Sequence, residues 1–176
     1  EAIAVSLADP ALGDALIAAL AWQNLETLRQ TLSILGHSND PAYRRICLAV
    51  FAAHRVDAGS LVTRSIEDAD PALRARALRA IGEIGGRDDL THTLRRALTD
   101  DDLPCRLWAA WSLSLSNDPR GAAVALEATI DDSPVARRSI EVAMRAGEPQ
   151  WARKVIRALA ADPARTRNAV LAAGAF

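Results

Sequence analysis

Four groups of side chains in this sequence are candidates for chemistry. His37, His54 and His92 could ligate a metal or move a proton, and Cys47 and Cys105 could act as nucleophiles or ligands. Carboxylates cluster at Glu67-Asp68-Ala69-Asp70, Asp100-Asp101-Asp102 and Asp131-Asp132, where a divalent cation or acid–base pair would be conceivable. Trp108 and Trp111 stand one helical turn apart, a pattern suited to recognition. Spacing argues against most of this chemistry. No Cys, Asp or Glu stands at zinc-like intervals from the histidines, and the acidic runs do not follow a calcium-binding loop. Phosphate-cradling glycine loops, a Gly-x-Ser-x-Gly elbow and a His-Glu-x-x-His helix are missing from the sequence. We therefore expect no catalytic residue, no cofactor and no metal.

The elements that would position such residues follow from residues 68–86. Asp70 is placed to cap a helix, with Pro71 at the first helical position, where a missing N–H costs nothing. Leu73, Ala77, Leu78, Ile81 and Ile84 then recur at helical spacing until Gly85-Gly86 supplies a left-handed stop. Arg74 sits awkwardly in the first turn, facing the positive end of the helix dipole, and needs a compensating partner. Acidic turns from a stacked copy would supply one.

Copies are present. Asp9-Pro10, Asp40-Pro41 and Asp70-Pro71 are spaced 31 and 30 residues apart by their numbers. Looser versions follow at Asp102-Leu103-Pro104-Cys105-Arg106, Asp132-Ser133-Pro134-Val135-Ala136-Arg137 and Asp162-Pro163. A period of about thirty residues marks a solenoid, in which each helical hairpin buries its apolar faces on its neighbours. Apolar helical patterns such as Leu28/Leu32/Leu35, Leu61/Ser65/Ile66 and Leu90/Leu94/Leu98 lie between the copies. Because the acids recur at one place in every unit, we read them as caps. The turn pairs are Asp40 with Arg44, Asp70 with Arg74, Asp102 with Arg106 and Asp132 with Arg137. Leu103 and Ser133 each add a residue between Asp and Pro, which unsettles the register of those units.

The Asp-Pro-x-x-Arg-x-x-Ala pattern, clearest over 70–82, resembles the HEAT-like repeats of bacterial proteins, including the short type found in phycobilisome lyases. A narrower likeness, to HEAT-like proteins encoded near type VI secretion clusters, rests on 145–149, Trp151 and 169–176. The resemblance implies an all-α, right-handed superhelical α-solenoid of about six HEAT-like helical hairpins spanning 1–176 as one domain. It also implies that the second helix of each hairpin lines a concave groove. Aligned on the third unit, Trp108 and Trp111 take the places of Arg76 and Arg79, and Ser139 and Val142 follow in the fifth unit. Two readings stay open: the indoles face the groove as a binding hot spot, or they fill space beside small alanines. Trp22 and Trp151, near helix ends, are expected to be packing residues.

Composition sets the remaining bounds. Half of the 176 residues are hydrophobic and only 4% aromatic, as suits close-packed Ala/Leu helices. The net charge of −1 gives no general pull towards nucleic acid or acidic membranes. Every basic residue but Lys154 is Arg. No secretory leader or membrane span is recognisable, so a bacterial cytoplasmic location with buried free thiols is expected. The chain opens on 2–7 and closes on 169–176 without a polar capping repeat, so we expect a segment of a longer chain that can self-associate through uncapped ends. The function expected is a non-catalytic protein-binding scaffold or adaptor, with a secretion-associated accessory role as its finer form. The alternative is a HEAT-like enzyme or nucleic-acid-binding protein, resembling bilin lyases or DNA alkylpurine glycosylases.

Overall fold

Acidic turns of one design punctuate the chain and start its second helices. The structure, a computed structural model, describes residues 10–116, 118, 120–121, 153, 156–157, 160–167 and 170. Among the described residues seven α-helices have both ends defined: α1 Pro10–Ala21, α2 Leu25–Gly36, α3 Pro41–Ala53, α4 Ser60–Ser65, α5 Pro71–Ile84, α6 Thr91–Ala97 and α7 Leu103–Leu115. A 3-10 turn at Asp88–Leu90 leads into α6, and another lies at Pro163–Arg165. Among the described residues there is no strand.

Each second helix begins in the same way. The Asp40 carboxylate accepts from the Ala42 N–H at 2.9 Å, Asp70 from Leu73 at 2.9 Å and Asp102 from Cys105 at 3.0 Å. One residue pair upstream, Ser38 Oγ, Asp68 Oδ1 and Asp100 Oδ1 accept the N–H of the capping Asp itself. Four residues into the motif the arginine turns back. Arg44 Nη1 donates to the carbonyls of Ser38 (2.6 Å) and Asn39 (3.0 Å), and Arg74 Nη1 to those of Asp68 (3.0 Å) and Ala69 (3.2 Å). Arg106 Nη1 does the same to Asp100 (2.6 Å) and Asp101 (3.0 Å). These contacts satisfy turn carbonyls that have no helical partner, and they draw the cation back from the positive helix end. Leu103 does not shift the register. Asp102 to Arg106 spans the same four positions as Asp70 to Arg74, and only the proline moves, from the first helical position to the second.

The chain divides into two compact units, Glu1–Gly86 and Arg87–Phe176, with the break at the Gly85-Gly86 stop. In the first, α3 packs against α1, α2, α4 and α5, and α5 also packs on α4. Helix α3 is accordingly buried through Ile46, Cys47, Leu48, Ala49, Val50 and Ala52. Helix α5 contributes Leu73, Ala77, Leu78 and Ile81, the stripe read from the sequence, while Ile84 is half-buried. In the second unit α6 packs on α7, whose Cys105, Leu107, Ala109, Ala110 and Leu113 are buried. Two further ties bind hairpins inside the first unit. Arg44 Nη2 meets the Asp68 carboxylate at 2.7 Å, and Arg64 donates to the Gly36 carbonyl at the end of α2.

Candidate functional site

On α5, Arg76 and Arg79 both close on Glu83. Arg76 Nη2 reaches Oε2 at 2.7 Å and Arg79 Nε reaches Oε1 at 2.7 Å. Arg76 lies low in the fold, its side chain 15% exposed, and also approaches the Leu48 carbonyl of α3 at 3.4 Å. Burial pushes its guanidinium below the ordinary arginine value, with Glu83 working against that. Its Nη1 is buried without a hydrogen-bond partner. Arg76 therefore joins α5 to α3 more than it faces outward, and Arg79 is the more accessible cation of the pair.

On α7, Trp108 and Trp111 meet edge to face, ring centroids 5.3 Å apart and planes at 89°. Trp111 is only 7% exposed, and its Nε1 is buried without a partner. Burial, not display, is its state, so of the two open readings the space-filling one holds for Trp111. The cause lies in α7 itself. Residues 109–114 are buried without interruption, and small side chains at Ala109, Ala110, Ser112 and Ser114 leave volume that one large ring fills. Trp108 is half-buried. Arg76 and Arg79 belong to the first unit, and Trp108 and Trp111 to the second. Ser139, Val142, Asp132, Arg137 and Trp151 lie outside the described residues.

Trp22 was expected to pack and does not: it stands 89% exposed in the turn after α1. The candidate chemical groups are otherwise engaged in structure. His37 and His54 are the C-cap residues of α2 and α3, the Nδ1 of His37 lying 2.7 Å from the Ser33 carbonyl. Cys47 and Cys105 are buried free thiols. Burial pushes the Cys47 thiol up to about 12, with a backbone hydrogen bond opposing, and its Sγ donates to the Leu32 carbonyl at 3.5 Å. Among the described residues no three His, Cys, Asp or Glu side chains converge as a metal site.

The repeated turn geometry and the paired helices now stand beside one comparison. Residues 60–145 match the family model of HEAT repeats. That stretch takes in α4 to α7 and three of the six Asp-Pro motifs, and it supports a HEAT-like repeat protein whose fold class is the all-α solenoid. Among curated proteins the comparison finds no match to the chain. Sequence reasoning passed over one ion pair. Arg95 of α6 binds Asp118 just beyond α7, Nε to Oδ2 at 2.8 Å and Nη2 to Oδ2 at 2.7 Å. An Asp-Pro at 118–119, outside the thirty-residue phase, was the available signal.

Proposed function

We propose that this chain is a non-catalytic protein-binding scaffold or adaptor, a single HEAT-like repeat domain over 1–176 that works through the surface of its second helices. The observation that carries the reading is the turn built three times over. Its carboxylates and arginines, the densest charged groups in the chain, are engaged in capping helices and closing turns. What remains to do work is surface, and HEAT repeats commonly serve as surfaces for other proteins. We assign one contact residue in each unit, Arg79 in the first and the half-buried Trp108 in the second, the latter packed edge to face on Trp111. Because Glu83 pairs with both Arg76 and Arg79 and leaves the three with a single net positive charge, a protein partner is favoured over a nucleic acid.

An accessory role in secretion is the finer form of the proposal, in the cytoplasm of a bacterium. Among the described residues no helix is long and apolar enough to cross a membrane. Self-association belongs to the same reading, since Trp22 (89%) and Ile34 (67%) offer apolar surface in the first unit. Affinity capture with the full-length protein, run beside Trp108→Ala and Arg79→Glu, tests the assignment. A partner retained by the parent and lost by a variant that its melting curve shows to be still folded at the assay temperature is the expected result. Retention of every partner by both variants would reject this surface.

A further inference from the structure

A cleft of about 390 Å³ opens in the first unit between α2, α3 and α4, away from the second-helix residues discussed above. Its apolar part is formed by Leu32, Phe51, Ala58 and Leu61, with Leu32 and Leu61 buried. Around these stand Arg29, Arg64 and His37, with the polar groups of Gln30, Ser33 and Ser60. Among the described residues no carboxylate lines it.

The two guanidinium groups differ. Arg29 is exposed and already paired with Glu26 one turn back on α2, at 2.8 Å. Arg64 donates Nη2 to the Gly36 carbonyl, which orients the guanidinium without neutralising it. The Nδ1 of His37 faces the Ser33 carbonyl and therefore carries the proton, leaving Nε2 as the ring's other polar atom. The volume lies within the range of small-molecule sites, about 300–1,000 Å³, which combine apolar walls with a few placed polar groups.

We propose that this cleft binds a small amphipathic anion, an aryl or branched-alkyl carboxylate, with its apolar body on Leu32, Phe51 and Leu61 and its carboxylate at Arg64. A planar two-oxygen anion matches the guanidinium fork, and an apolar body uses the floor that inorganic phosphate would leave uncovered. Arg29 contributes less, because Glu26 competes for it. The site is independent of the scaffold reading, and either can fail alone.

The test is a titration of the isotope-labelled protein with 4-phenylbutyrate, followed by amide chemical shifts. Controls are the neutral 4-phenylbutanol, acetate and inorganic phosphate. Saturable shifts confined to Ser33, Gly36, His37, Ser60, Leu61 and their neighbours are expected, with each control at least about tenfold weaker. Arg64→Gln should weaken phenylbutyrate binding about tenfold, read well below a melting temperature that the lost tie to Gly36 lowers, and Arg29→Gln about twofold with its melting temperature unchanged. Should Arg64→Gln melt early, Arg29→Gln and the butanol control still decide. Equal binding of the alcohol or of phosphate, shifts scattered elsewhere, or no saturation would overturn the proposal.

Discussion

Single side chains here divide sharply into engaged and available, and burial decides which. Trp111 belongs to the first class, so Trp111→Ala should cost about 3–5 kcal/mol of folding stability, as removal of a buried indole does. A denaturant melt of the two variants side by side, with a smaller loss for Trp108→Ala, checks this. The thiols behave likewise. Cys47, raised to about 12 and fully buried, and Cys105, also fully buried, should stay inert to a thiol reagent until the protein unfolds. Rapid labelling of either under native conditions would contradict that burial. Asp118 gives a pH signature. Burial raises its carboxyl, but the Arg120 N–H and the Arg95 guanidinium together hold it below the ordinary value of about 3.9. A depressed folded value means its contribution is complete above the ordinary carboxylate range and disappears as pH falls through the depressed value. Asp118→Asn should flatten that part of the stability profile, measured as unfolding midpoints from neutral to acid pH.

Helices and turns show what was legible in the chain and what was not. The caps at Asp40, Asp70 and Asp102 were readable because capping is local, a matter of residue type followed by an apolar stripe. The second stripe of buried small residues in α7 was not, since Ala109, Ser112 and Ser114 carry no hydrophobic signal and acquire burial only through neighbours. Trp22 failed for the opposite reason: a large ring suggests a core, yet position past the end of α1 leaves it without one. The carboxylate-free cleft likewise has no periodicity to betray it, because its lining comes from three helices and the α3–α4 connection. At this scale the Arg44 joint should matter most. Arg44→Ala removes the bonds to Ser38 and Asn39 and the 2.7 Å pair with Asp68, and should lower stability by about 1–3 kcal/mol. Thermal unfolding measures it, with Arg29→Ala, an exposed pair, as the near-silent reference. Gly121 is a second sensitive point. A Cβ there would collide with the Ala110 carbonyl and come within 2.9 Å of Ser114 Oγ, so Gly121→Ala should loosen the end of α7.

For the molecule as a whole, stability should be graded along the chain. Helices α3, α5 and α7 hold most of the fully buried side chains, whereas the described side chains of α1 are all exposed or half-buried. Amide exchange should therefore be slowest in α3 and α5 of the first unit and in α7 of the second, and fast in α1. Uniform protection from α1 to α7 would contradict a stack held together by neighbours alone. One feature of the turns reaches beyond stability. Arg44 closes its own turn and also grips Asp68, while Asp68 closes the next turn with its other oxygen. This joint is thus split between two successive turns, its guanidinium in one and its carboxylate 24 residues on in the next. Inserting or deleting a whole repeat between them restores an arginine turn facing an acidic turn, whereas any other length separates the two halves. Such a chain can change its reach by unequal recombination without a new fold having to be invented.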